Sequence, residues 1–388
     1  MKKILIFSLA YYPSHVSGAE TAIKDTTDRI DDIEWHLITQ HYDRTLPKEE
    51  KIDNVIVHRV GFGSSYFSKA LYVPLATLKG LSLHKKLKFD ALWAMMTYML
   101  FPVVLMRFLG AKIPYVLSLQ DGDPYERVFL RPHIKPALPL LKYGFRNAAV
   151  VQVISKYLAT WPPKLGYTGD IELIYDGANP RSIHPDYPQK DIDTLRNTFA
   201  QEGDVILMNT ARLVHQKAAD ITIRALTMLP ANVKLVLVGD GDKRGELEAL
   251  VKELNLSGRV MFTGQVDREI VSMYRLAADI FVGPSRSEGL GHAFLSAMAC
   301  KMPVVTTQVG GIADFLFDAK RNPGEETTGW AVDVDSPEQI AEAVKDILDN
   351  PEKTQQVVET AHKMVLEKYD WDVIAKDMRE KVFGKVLG

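Results

Sequence analysis

Short apolar runs recur along nearly the whole chain, each followed by a stretch long enough for a helix, and few folds accommodate that rhythm. The runs predict strands at residues 4–9, 35–39, 55–60, 91–95, 115–119, 150–154, 172–174, 205–209, 234–238, 260–262, 280–282 and 304–306. Helices are predicted between many of them, among others at 243–254, 267–277 and 337–349. The strands are apolar throughout rather than at every second residue, so both faces of each sheet must be covered. Helices packed on both faces of mostly parallel sheets give an α/β chain of doubly wound units.

At 388 residues the chain exceeds the roughly 250–300 residues at which one core stops growing, so two domains are expected. The polar stretch 184–203, HPDYPQKDIDTLRNTFAQEG, carries two prolines near its start and is the expected boundary. The domains are then 1–190, joined by a returning segment 370–388, and 191–369, with Trp371 anchoring the return.

Formal net charge is −2, so no global field favours nucleic acid or an anionic membrane. The only cysteine, Cys300, excludes an intramolecular disulfide and fits a reducing, cytoplasmic setting. It lies in an Ala-Met-Ala-Cys run and reads as a small core residue. The start, MKKILIFSLAYYPS, breaks at Pro13 and reads as a first buried strand rather than a leader. Residues 91–106 lack charge, but Pro102 interrupts them; a strand and a buried helix fit better than a spanning helix, which needs roughly 20 apolar residues. Residues 74–88 carry Leu75, Leu78, Leu83 and Leu87 with Lys79, Lys85, Lys86 and Lys88. Such a helix can lie on the inner face of an anionic bilayer as a peripheral contact, or pack on a sheet with a solvated basic face.

The densest functional signal is 279–315, DIFVGPSRSEGLGHAFLSAMACKMPVVTTQVGGIADF. A strand leads into a turn, then Glu288 beside Gly289 and Gly291, then a helical stretch from Phe294, a second strand and the Gly310-Gly311 turn. Glycine loops and helix starts present backbone N–H groups to phosphate. A carboxylate at the loop apex accepts hydrogen bonds from hydroxyls. The pair of features suits a sugar nucleotide.

This segment resembles the signature of glycosyltransferase family 4, retaining enzymes with the GT-B fold. That resemblance implies two Rossmann-like domains facing across a cleft, and a nucleotide diphosphate sugar as co-substrate, with no cofactor and no metal. In that family one glutamate at this loop contacts the transferred sugar or its phosphate, and a second, eight positions on, commonly holds ribose hydroxyls. Glu288 matches the first, but Ser296 stands at the second. Serine makes one hydrogen bond where a carboxylate makes a charge-assisted pair, so weaker ribose binding, or ribose held elsewhere, is expected. The loop Gly289, Leu290, Gly291 and His292 is expected to line the donor.

The likeness extends along the chain in order. Residues 209–218, NTARLVHQKA, follow a strand and place Arg212 and Lys217 in one βα loop, where open α/β sheets bind ligands. Two cations there can neutralise a diphosphate; otherwise they are solvated surface charges. The segment resembles a family loop whose Arg and Lys bind the donor diphosphate, with Ala211 and Ala218 in place of its two glycines. Gly239, in LVLVGDGD, matches a family turn. Asp240-Gly241-Asp242 and Asp121-Gly122-Asp123 are DxD patterns, which hold metal in other transferases but often arise by chance. Val266, after Thr263-Gly264-Gln265, matches a turn that meets the nucleotide base, although an ordinary strand-to-helix turn explains it equally.

In the first domain, Gly18 in Ser17-Gly18-Ala19-Glu20 permits close backbone approach to donor phosphate or acceptor, where the family has two glycines. His15 is a weaker candidate for a base. Gln120 stands where many family members have histidine, and it cannot transfer a proton at neutral pH. Asp121 is a candidate acceptor-side carboxylate, or else a helix cap.

Together these residues imply a hexosyltransferase acting on a glycan, lipid-linked or small-molecule acceptor, with catalytic roles for Glu288, Arg212, Lys217 and Asp121. Front-face substitution is implied, the leaving diphosphate helping to take the acceptor proton. A GT-B sugar-nucleotide epimerase and a catalytically weak sugar-nucleotide-binding protein are the alternatives, the latter favoured by Ser296 and Gln120.

Overall fold

Strands form at every predicted run, with ends shifted by up to two residues. The computed structural model describes residues 1–13, 17–179, 183 and 186–388, with only the backbone considered at 66, 268 and 269. It divides into two units, one made of Met1–Asp176 and Trp371–Gly388, the other of Gly177–Asp370.

The first unit holds β1 (Lys2–Phe7), β2 (Ile33–Gln40), β3 (Glu49–Ile52), β4 (Val55–Val60), β5 (Ala91–Met95), β6 (Tyr115–Leu119), β7 (Val150–Val153) and β8 (Ile171–Leu173). Their order is β3-β4-β2-β1-β5-β6-β7-β8. All pairs are parallel except β3 with β4. Ile4, Leu5, Ile6 and Phe7 of β1 are wholly buried, as a central strand covered on both faces requires.

The second unit holds β9 (Val205–Thr210), β10 (Val233–Val238), β11 (Val260–Gly264), β12 (Ile280–Gly283), β13 (Val304–Thr307) and β14 (Trp330–Val332), in the order β11-β10-β9-β12-β13-β14. Each sheet reverses its winding beside its first strand: between β1 and β5, and between β9 and β12. Ligands of open α/β sheets bind at the carboxyl ends of the strands flanking such a reversal.

The expected boundary at 184–203 differs from the division after Asp176. The reason is the helix Gln189–Arg196 inside that polar stretch. Arg196 Nη1 donates to Ala277 O at 2.7 Å and Nη2 to Asp279 Oδ2 at 2.9 Å. The stretch is therefore docked on the second unit and is not a linker. The return begins with Trp371, 1% exposed, in the core of the first unit. Phe383 then packs edge-on against Trp35 and Trp93, with ring centroids 5.2 and 5.1 Å away. Burying one such ring contributes about 2–3 kcal/mol, which fixes the chain end to this unit.

Residues 74–87 lie in the helix Tyr66–Leu87, with Lys88 as its C-cap; the helix packs on β2 and β4. Leu83 is buried and Leu78 is exposed. Among the described residues, no helix is long and apolar enough to cross a membrane.

Candidate active site

After β9 the chain turns through residues 211–218 before the helix Ala219–Ala225. Leu213 N–H donates to Asp240 O at 3.0 Å, and Lys243 N–H to Leu213 O at 2.9 Å. The loops after β9 and β10 are thereby stitched together. So close an approach requires Gly239, where a Cβ would lie 2.1 Å from Ala211 O. Arg212 is exposed on this platform and holds no ion pair among the described residues. Lys217 closes the short turn His215–Lys217. Ala218 follows at φ +52°, a left-handed backbone costly for any residue with a Cβ.

β12 delivers the facing half. Thr306 Oγ1 donates to Gly283 O and Thr307 Oγ1 to Ser285 O, both at 2.7 Å. Behind the loop, Gly311 N–H donates to Glu288 O at 3.3 Å. Gly310 makes that contact possible, because a Cβ there would sit 1.9 Å from Glu288 O. The Glu288 side chain, 10% exposed, is pinned by its own backbone. Its Oε1 accepts from Lys217 Nζ and, at 3.0 Å, from Ser285 Oγ.

The structure thus joins Lys217 and Glu288, which the sequence placed in separate roles. The cation is paired with the carboxylate, so any anion that reached Lys217 would compete with Glu288 for it. Oε2 of Glu288 has no partner among the described residues and remains an acceptor for a hydroxyl. Oxyanions gain most from such preorganised donors where water is scarce.

The other expected donor contacts divide. Gly291, at φ +110°, precedes the helix His292–Ala299, so that helix starts at the loop carrying Glu288. His292 is half-buried and Gly289 is buried. The Leu290 side chain is 1% exposed, so this residue offers a ligand its backbone. Ser296 is 3% exposed, and its Oγ accepts from Asn179 N–H at 2.9 Å. Its oxygen therefore holds backbone here instead of standing open to a ribose. Val266 is half-buried, next to Gly264, whose carbonyl accepts from Gly239 N–H at 3.0 Å.

In the first unit, Gly18 opens the helix Gly18–Thr27. Ser17 N–H donates to Glu20 Oε2 at 2.8 Å; Glu20 is thus engaged in a capping box. His15 lies outside the described residues. Asp121 is 4% exposed, and its Oδ2 accepts from Thr97 Oγ1 at 2.9 Å and Thr97 N–H at 3.3 Å. Burial pushes this carboxyl up to about 6, although the two Thr97 bonds favour its charged form; the charge of Asp123 adds to the rise. Asp121 is not a helix cap. Gln120 Nε2 donates to Asp176 Oδ1 at 3.0 Å. In the two DxD patterns, Asp123 pairs with Arg127 and Arg131, and Asp240 with Arg244. Among the described residues no three His, Cys, Asp or Glu side chains gather as a metal would need.

Sequence reasoning missed Thr97, Ser285 and Arg286. Ser285 and Arg286 lie within three residues of Glu288, and their polar side chains in a loop after a buried strand were the available signal. Thr97 carried none, since its partner is 24 residues away.

Comparison with known proteins bears on this geometry. Residues 191–364 match the family described as glycosyl transferases group 1. A glycosyltransferase of Methanocaldococcus jannaschii is 29% identical over 97% of this chain and 96% of its own. The lipopolysaccharide core biosynthesis glycosyltransferase LpsE of Rhizobium meliloti is 31% identical over 63% of this chain and 69% of its own. Among solved structures, Anabaena HepE in complex with UDP-glucose superposes with a TM-score of 0.80 at 21% identity, covering 99% of this chain and 100% of HepE.

Proposed function

The chain belongs to the glycosyl transferases group 1 family, and on that premise we propose that it is a retaining hexosyltransferase that works without a metal. It is a glycosyltransferase that uses a nucleotide sugar; the proposal adds the sugar class, the stereochemistry and the residues. The donor diphosphate is bound by Arg212, Lys217 and the amides around Gly291 and Gly311. Glu288 receives a hydroxyl of the transferred sugar on Oε2. Val266 and Ser296 border the base and ribose, with Ser296 contributing little because its oxygen is occupied. The acceptor, a glycan, a lipid-linked sugar or a small molecule, is served by the first unit through Gly18 and Asp121.

In this reaction the bond from the anomeric carbon to the diphosphate oxygen breaks, and the acceptor oxygen bonds to that carbon on the same face. The acceptor proton passes to the departing diphosphate. Arg212 and Lys217 stabilise the charge that grows on the leaving group. As the diphosphate draws Lys217, Glu288 is released to the sugar.

The observation that carries the reading is the Lys217–Glu288 pair at the β9/β12 reversal, beside the exposed Arg212. The test is a panel of nucleotide sugars beginning with UDP-glucose and GDP-mannose, with donor loss followed and the product linkage read by NMR. An α-linked product from an α-linked donor supports retention. A β-linked product rules it out, and turnover to an epimer without acceptor replaces transfer by isomerisation.

A peripheral contact with an anionic bilayer completes the proposal. Leu78 on the helix Tyr66–Leu87 is 61% exposed and lies two turns before the exposed Lys85 and Lys86, while Phe67, 66% exposed, stands at the other end of the helix. Apolar side chains beside lysines bind anionic surfaces. Co-sedimentation with phosphatidylglycerol vesicles that survives in the L78A/K85A/K86A variant would remove this helix from the reading.

A further inference from the structure

Arg286 is the most heavily bonded side chain around the site. Its Nη2 donates to Asp220 Oδ2 at 2.8 Å and its Nη1 to Asp220 Oδ1 at 3.2 Å, a bidentate fork. Nη1 also donates to His215 O at 2.6 Å, and Nε to Asp335 Oδ1 at 2.7 Å. Its backbone N–H donates to Gln216 O at 2.7 Å. Arg286 and its partners come from three segments of the chain, Asp220 from the first turn of the helix Ala219–Ala225. His215, Gln216 and Asp220 follow β9, Arg286 follows β12, and Asp335 follows β14. The Arg286 side chain is 15% exposed, whereas the carboxylates of Asp220 and Asp335 are 37% and 53% exposed, so only the arginine end of the fork is shielded from water.

Lys217 adjoins Gln216 and lies two residues from His215, while Glu288 is two residues beyond Arg286. The turn that aims Lys217 is therefore fastened, by one backbone and one side-chain bond, to the loop that aims Glu288. We infer that Arg286 is a positioning residue for the donor: it ties the loops after β9, β12 and β14 together and so sets where Lys217 meets a diphosphate. The inference rests on the glycosyltransferase reading and concerns only how that site is held.

The chemistry requires arginine. A planar guanidinium grips one carboxylate with two parallel bonds and still has donors for a carbonyl and a second carboxylate. Lysine carries three donors on one atom and cannot span those directions. Removing the fork leaves the Gln216 carbonyl bond but lets the turn swing about it. Misplacing a reacting or binding group by about 1 Å costs on the order of 10²-fold in rate.

Four variants test this: R286A, R286K, D220N and D335N. Each is melted first and then titrated with UDP and GDP and assayed with the donor that the wild type uses, at a temperature where all are folded. The expected order of donor kcat/KM is wild type, D335N, D220N, R286K and R286A, with R286A down about tenfold to a hundredfold. Most of that loss is expected in donor KM and nucleoside diphosphate affinity, with acceptor KM unchanged. A purely structural role would move the melting temperature and leave those constants of the folded enzyme alone. The inference is overturned if R286A binds nucleoside diphosphate within twofold of wild type, or if R286K restores full activity. Should R286A not fold, D220N decides by the same criterion. If the wild type turns over no nucleotide sugar and binds neither diphosphate, the parent reading fails and this one falls with it. If the wild type does both and the variants match it, only the positioning role is lost.

Discussion

The Lys217–Glu288 corner of the second unit and the Asp121–Thr97 corner of the first are both carboxylate sites at sheet edges, yet their electrostatics are opposed. Glu288 is met by a cation and a hydroxyl. Asp121 is more deeply buried and, among the described residues, its side chain is met by the neutral donors of Thr97. A paired carboxylate can trade its partner for a ligand. A buried carboxylate without a cation holds its proton to a higher pH. On the proposed reading, the second unit receives an anion that displaces Glu288 from Lys217. The first presents a group whose charge is held back until near neutral pH.

The largest effect should come from cutting the charged pair. K217A is expected to lower donor turnover by roughly 10²–10³-fold, the scale of removing a preorganised donor from a leaving group. E288Q should cost less, because Lys217 is then fully available to the diphosphate while the sugar contact is weakened. The two losses should combine in a double variant to less than their product, since the residues act together. Multiplicative losses in steady-state kinetics would mean that they act independently.

R212A comes next. Arg212 is exposed and is not spent on another carboxylate, so its loss should raise the nucleoside diphosphate dissociation constant by about tenfold, the worth of one charge-assisted contact. Calorimetric titration showing no change would assign Arg212 to the solvated surface.

The Asp121 corner makes a prediction about stability. Its folded pKa, about 6, lies above the ordinary 3.8, so the folded state binds the proton more tightly than the unfolded one. The stability this contributes is complete below about pH 4 and is lost as pH rises through 6. D121N keeps the shape and an oxygen for Thr97 and has no charge to bury. Denaturant unfolding should therefore find D121N more stable than wild type at pH 7.5, by about 1–3 kcal/mol, with the gap closing by pH 4. A gap that persists at pH 4 would sever it from this ionisation. Transfer to acceptor should fall in the same variant while donor binding stays intact.

The smallest effect concerns Ala218. At φ +52° its methyl group is strained, and A218G should relieve that strain at the expense of greater freedom in the unfolded chain. A net gain of about 0.5–1 kcal/mol by thermal melting is expected. A loss would mean that the left-handed turn is not strained.

Most of the continuously apolar strands were legible in the sequence. β3 was missed because Glu49-Glu50-Lys51-Ile52 is a polar edge strand, exposed at alternate residues, and β14 because three residues give no periodicity. The domain boundary was misplaced because a polar, proline-bearing stretch reads as a linker unless the partner of Arg196 is known, and that partner is 83 residues away. In the candidate site, Glu288 stood out by the glycines of its loop, and Arg212 and Lys217 by their charges in a βα loop. The pairing of Lys217 with Glu288 was not legible, for it spans 71 residues. The ties of Arg286 reach across 66 and 49 residues, and no local pattern encodes such a knot. Ser296 was read as a departure from the family; the structure adds the hydrogen bond that its oxygen accepts from Asn179 N–H.

The most direct test is a crystal structure of the protein grown with the nucleoside diphosphate that it binds in solution. The account predicts that the Arg212 guanidinium and the Lys217 ammonium both lie about 3 Å from diphosphate oxygens, with Lys217 drawn off Glu288. A diphosphate bound elsewhere, with the Lys217–Glu288 pair intact, would contradict it.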